Sequence, residues 1–251
     1  MTLRTASRLA VVLGALLLVL IVVAPWPGQT GAVPDDAQSV PLGHPVARPV
    51  ASGPYAFTLT QGSDSRPVAY DPCRPVHFVV NNSRKPAAAT ASLTAALTRL
   101  QAATGLVFRY DGPTTETPVA HRPAYQPGRY GSRWAPVLIS WSDPAHTAAL
   151  DGTVIGTGYS DAYGSPGARR YVTGVVVLDG PQISRLLGTS GGRSRVRAII
   201  EHELGHLVGL AHVHDPHEIM NPDATITATD YGPGDLRGLA LLGSGPCYQD
   251  T

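Results

Sequence analysis

The sequence predicts an α+β domain, and three observations predict it. Runs of strand length, rich in Val, Ile and aromatic residues, occur at 76–80, 106–110, 136–141 and 171–178. Apolar residues recur at offsets of three and four in two longer stretches, 86–103 and from Ser194 onward. These segments follow one another as strand, helix, strand, strand, strand, with the second long helix coming last.

Taken in order, the chain begins with Arg4 and Arg8 and then an unbroken apolar run from Leu9 to Ala24. Such a run is an export signal or an N-terminal membrane anchor, and both readings stand for residues 1–24. Residues 25–65 are rich in Pro, Gly, Ser and Ala without periodicity and read as a linker or pro-segment. The folded domain is expected from Arg66 to residue 251. Its first strand, Val76–Val80, is bounded by Pro75 and by Asn81-Asn82-Ser83, which fits the glycosylation acceptor pattern. Leu93, Ala96, Leu97 and Leu100 then make one apolar face of a helix that should cover the sheet. Ile155–Ser160 is less apolar and broken by glycines, so it is expected at the sheet edge, where unpaired backbone groups can hold an extended peptide; a plain loop is the other reading. Val196, Ile199, Ile200, Leu204 and Leu207 form a buried stripe on the helix from Ser194. A last helix is expected from Asp235, as N-cap, to Leu242.

A net charge of +1 with no basic run gives no footprint for nucleic acid. Cys73 and Cys247 are the two cysteines, and they bracket the expected domain. In an oxidising compartment they can pair and stabilise the fold by ~2–4 kcal/mol; two unrelated buried thiols are the alternative. The loops at 125–134 and 161–170 contain no clustered carboxylates or histidines, so no structural metal, Ca2+ or Zn2+, is expected there.

The chemistry concentrates in Glu201–Pro222, EHELGHLVGLAHVHDPHEIMNP. On a helix, His202 and His206 lie one turn apart on one face and can share a metal, while Glu203 projects beside it as a base for a metal-bound water. Gly209 lets the chain leave the helix through a left-handed conformation and return His212 as a third ligand. Three imidazoles leave a fourth position open, as a catalytic zinc requires.

These residues resemble the metzincin zinc endopeptidases, and among them the matrixins. That family's run HExGHxxGLxHxxDPxxxMxP is met by His202, Glu203, Gly205, His206, Gly209, Leu210, His212, Asp215, Pro216, Met220 and Pro222. The resemblance implies a mixed, twisted sheet with an active-site helix and a small C-terminal subdomain. It also implies one catalytic Zn2+ and peptide substrates. Met220 would sit in a turn beneath the zinc, Asp235 would tie back to that turn, and residues 223–232 would form a pocket wall. Tyr231 is either a wall residue or an oxyanion donor, and His214 and His217 are either surface residues or modulators of the site. The Cys73 segment, Asp-Pro-Cys-Arg-Pro, is not the matrixin cysteine switch, PRCGxPD, so that form of latency is not implied. The resulting expectation is a monomeric zinc metalloendopeptidase, secreted or anchored through residues 9–24 with its catalytic domain extracellular. A catalytically silent binding module and a zinc hydrolase of a non-peptide substrate are the alternatives.

Overall fold

The computed structural model describes residues 36–46, 52–62, 64–222 and 228–248. The apolar run at 9–24, with its two readings, lies outside them. Among the described residues no helix is long and apolar enough to cross a membrane.

Six strands form one mixed sheet: β2 (Ala69–Tyr70), β3 (Val76–Asn81), β4 (Phe108–Pro113), β5 (Val137–Ser142), β6 (Gly156–Tyr163) and β7 (Arg170–Asp179). All pairings are parallel except that of β6 with β7. The strand β6 runs along the whole of one side of β7, whereas β2 and β5 share its other side, because Arg170–Tyr171 pair with β2 and Val175–Asp179 with β5. That leaves β6 at one edge and β4 at the other, so the glycine-broken stretch is an edge strand as expected and longer than expected.

The central strands are buried on both faces. Phe78, Val80, Ile139, Trp141, Val176 and Leu178 point into the larger core beneath the helices. Val79, Leu138, Val175 and Val177 point the other way, onto Leu150, Tyr130 and Tyr159. Burial on both sides is why β3, β5 and β7 read as continuous apolar runs instead of alternating ones.

Helices α1 (Ala89–Thr104) and α4 (Gly192–Val208) pack on the first face. In α1, Leu93, Ala96, Leu97 and Leu100 are buried as the periodicity predicts, and Gly105 ends the helix at φ 76° with its N–H on Gln101 O. Two short helices escape the periodicity reading: α2 (Pro127–Tyr130) and α3 (Gly180–Leu187). The second is announced by Asp179-Gly-Pro, with Asp179 accepting from Gln182 N–H as N-cap.

The loop between β4 and β5 is fastened by a buried ion pair. Arg122 binds both carboxylate oxygens of Glu116, at 2.8 and 2.9 Å, and also reaches Thr173 Oγ1 and Pro136 O. Glu116 O in turn accepts from Asn81 Nδ2. Asn81 is buried, so the nitrogen that a glycan would need is already committed inside the fold.

Ordered packing begins before Arg66, contrary to the expected boundary. Strand β1 (Ala56–Phe57) pairs antiparallel with β8 (Leu210–Ala211), and Thr58 N–H donates to Gly209 O. Gln38 and Leu42 N–H groups bind Cys73 O and Pro72 O. Backbone hydrogen bonds to distant segments need no apolar periodicity, so composition did not reveal them. Cys73 and Cys247 form a disulfide. The last helix among the described residues is α5 (Pro233–Leu242), whose Leu239 and Leu242 complete the core.

Candidate metal centre

Helix α4 carries His202 and His206 on one face, and Gly209 ends it at φ 118° with its N–H on Gly205 O and His206 O. A side chain at Gly209 would also meet the Tyr171 ring at 2.9 Å, so both conformation and space call for glycine. The chain then passes through β8, held by β1, and delivers His212.

The three Nε2 atoms lie 3.0–3.1 Å from one another. His202 Nδ1 donates to Ile219 O at 2.7 Å and His206 Nδ1 to Leu210 O at 2.9 Å, which places the ring protons there and leaves both Nε2 atoms as bare acceptors. Converging lone pairs repel unless a cation sits among them. Tetrahedral ligands at about 2.0–2.1 Å from an ion lie about 3.3 Å apart, so this donor set fits a zinc-sized ion with one position left over. Burial, with the neighbouring ring of His206, lowers the His202 pKa to about 4. Burial lowers His206 and His212 as well. All three are therefore neutral near pH 7, the form a metal requires. The triad can hold a metal ion.

Glu203 sits between α4 and the edge strand β6. A Cβ at Gly156 would come within 2.7 Å of Glu203 Cγ, and one at Gly158 within 2.2 Å of Glu203 O, so the two glycines are what let strand and helix touch. Ser160, two residues further, donates to Leu207 O and contacts Tyr70 OH. Sequence reading took these glycines as breaks in the strand, and only the packed helix explains them. The Glu203 carboxylate has no hydrogen-bond partner among the described residues. Burial pushes its pKa up to about 8, within reach of accepting and returning a proton near neutrality; a nearby dication would favour the ionised form.

Met220 is buried behind the histidines, its Sδ occupying the space that a Cβ on Gly205 would need, 2.6 Å away. Val213 N–H donates to Met220 O and closes the loop from His212. Asp215 organises that loop, accepting from His217 N–H and pairing with its ring. His214 and His217 are exposed, which answers for the surface reading of both. Pro222 is exposed, and residues 223–227 of the expected wall lie outside the described residues.

Asp235 ties to the methionine turn as expected, accepting from Ile219 N–H at 2.6 Å and Met220 N–H at 3.4 Å. It is not the N-cap, however. Gly232 is, and Asp235 is the third helical residue, reaching back to Gly232 N–H at 3.0 Å. Tyr231 donates its hydroxyl to Glu201 O, so it is not an oxyanion donor. Burial and the charges of Glu201 and Asp235 raise its pKa, keeping the phenol protonated.

Sequence reading missed Glu201 and Glu218, both fully buried. Glu201 lies near Arg197 and Arg99, at 3.0 and 3.4 Å, without the alignment of hydrogen bonds. The same arginines reach Asp230 and, from Arg197, Thr229 O, so this cluster links α1 and α4 to the segment before α5. Glu218 accepts from Gly234 and Asp235 N–H, both at 2.8 Å.

No protein-family model matches the sequence, and neither does any curated protein. Among solved structures the fold is similar to archaemetzincin from Methanopyrus kandleri, at 19% identity and a TM-score of 0.39, over 66% of this chain and 91% of that one. It is similar also to the GM1-bound form of the ECX AB5 holotoxin, at 14% identity and a TM-score of 0.38, over 67% of this chain and 79% of that one. Likenesses this distant assign no activity, and the reading of function rests on the site itself.

Proposed function

We propose that the chain is a zinc-dependent metalloendopeptidase of matrixin-like type, with His202, His206 and His212 as metal ligands and Glu203 as general base. One observation carries this reading: three Nε2 atoms converge within 3.1 Å, and the Glu203 carboxylate, without a hydrogen-bond partner among the described residues, belongs to α4, the helix that carries His202 and His206. A zinc ion bound there supplies Lewis-acid polarisation of a substrate carbonyl and lowers the pKa of a coordinated water. Ile219 O and Leu210 O hold His202 and His206 in the ligating tautomer. Glu203 takes a proton from the attacking water and returns it to the leaving amine nitrogen. Gly156 and Gly158 keep β6 against that carboxylate. The unpaired side of β6 offers backbone donors and acceptors to an extended peptide, which favours a peptide over a non-peptide substrate.

Export is part of the same proposal, supported by the apolar run at 9–24 and by the Cys73–Cys247 disulfide. The protein would act as a monomer outside the cytoplasm, released or anchored.

The test is cleavage of a quenched-fluorescence peptide library by the full chain, against Glu203→Gln at equal measured zinc content. Turnover lost by about 10²-fold or more in the variant, with zinc retained, is the expected result. A zinc-loaded, folded wild type that cleaves no peptide would turn the assignment to a binding module or to a non-peptide hydrolase.

A further inference from the structure

Two segments behind the metal ligands exchange carboxylates. Glu218, in the loop that follows His212, accepts from the N–H groups of Gly234 and Asp235 at the start of α5. Asp235, in that helix, accepts from the N–H groups of Ile219 and Met220, the two residues after Glu218, and from Gly232. Five backbone N–H groups thus converge on two carboxylates, each about 1% exposed. Among the described residues no Arg or Lys pairs with either carboxylate, so these N–H groups and the positive end of the α5 dipole are what stabilise negative charge there. The fit is close: a Cβ at Gly232 would lie 2.4 Å from Glu218 Oε2, and one at Gly53 2.1 Å from Glu218 Oε1.

The peptide held by this exchange is the one that orients a ligand. Met220 N–H, on Asp235, and Ile219 O, on His202 Nδ1, belong to one planar peptide group, and Ile219 N–H on Asp235 holds the residue from its other side, so fixing this segment aims the carbonyl. From this we infer that Glu218 is a positioning residue for the metal centre: it seats α5 so that Asp235 meets Ile219, and Ile219 O then presents His202 Nε2 to the ion. The inference rests on the reading of His202, His206 and His212 as metal ligands. Groups that orient a ligating histidine typically account for 10- to 100-fold in metal affinity.

A helix cap with no bearing on the metal would share the same hydrogen bonds, so the test separates the two roles. Zinc affinity is measured on the folded full-length wild type and on Glu218→Gln by competition with a chromophoric chelator. The visible spectrum of the Co2+ form and the thermal stability of the metal-free form are recorded for both. Gln keeps the shape of the side chain and turns an amide donor toward backbone N–H groups. The expected result is a roughly 10-fold or greater loss of zinc affinity with an altered Co2+ spectrum, partly restored in Glu218→Asp, which retains the charge. Lower stability of the metal-free form with unchanged affinity and spectrum would reduce Glu218 to a cap and overturn the inference, as would no change in any of them. Should Glu218→Gln fail to fold, Glu218→Asp is read alone: a smaller but measurable loss of zinc affinity with an altered Co2+ spectrum supports the inference, and wild-type affinity and spectrum overturn it. A wild type that binds neither ion would refute the metal reading itself, a different outcome.

Discussion

Replacing Gly158 by alanine puts the contact between β6 and α4 to a direct test. Gly158 has no left-handed backbone, so alanine brings no conformational strain, and its whole effect comes from the new methyl group. That carbon would start 2.2 Å from Glu203 O and 3.0 Å from Glu203 C, backbone atoms that cannot swing aside. Ordinary contact requires strand and helix to separate by about 1 Å. Overpacking of this kind costs about 1–3 kcal/mol, and a catalytic group displaced by about 1 Å loses about 10²-fold in rate. The expected variant is folded and zinc-loaded, melts lower, and cleaves peptide about a hundredfold more slowly. Circular dichroism melts, metal analysis and the quenched-peptide assay measure the three quantities. Gly128→Ala is the control, since nothing lies within 4 Å of its Cβ position. Wild-type turnover and stability in Gly158→Ala would refute the argument that this glycine sets the distance between Glu203 and the edge strand.

Two further predictions concern charge. Breaking the buried pair with Arg122→Met leaves Glu116 without its counter-charge and should cost about 3–5 kcal/mol in a denaturant titration, whereas a surface pair would cost under about 1 kcal/mol. Burial raises the Glu116 pKa, but hydrogen bonds from Arg122, Tyr130 and Gln126 outweigh it, so the folded value lies below 4.5. The pair's contribution is therefore complete above that pH and lost as the pH falls through the folded value, and Arg122→Met should flatten this acid-side slope. The histidines act in the same direction at higher pH. With His202 at about 4 folded and 6.5 unfolded, the unfolded chain binds more protons in that interval, so the metal-free protein should lose stability as pH falls from 6.5 to 4. Melts of the metal-free protein across that interval should show the decline, and a flat profile would contradict it.

The elements most legible from sequence are those whose environment repeats along the chain. The stripe of α1 is buried at every predicted position, and that of α4 at all but Ile199, which is half-buried. The apolar runs of β3, β5 and β7 became strands within a residue or so, while β4 begins two residues after its expected start, because Leu106 is buried before the strand forms. The triad was legible for a related reason: a four-residue helical offset and a glycine exit are local geometry, and they put His202, His206 and His212 within reach of one another.

What local pattern does not contain is the identity of a distant partner. Residues 56–58 look like linker because they bind β8 and Gly209 through backbone groups that any sequence possesses. Gly156 and Gly158 look like breaks until α4 lies against them. Glu218 is one carboxylate among several around His212 and Met220 until α5 folds back and offers it two amides. The amino-acid sequence alone thus determined the donor set, the helices and the interior strands, since these follow from short-range periodicity. Only the tertiary structure decided what aims the donors: a buried carboxylate, a carbonyl or an absent side chain gains its meaning from a segment tens or hundreds of residues away.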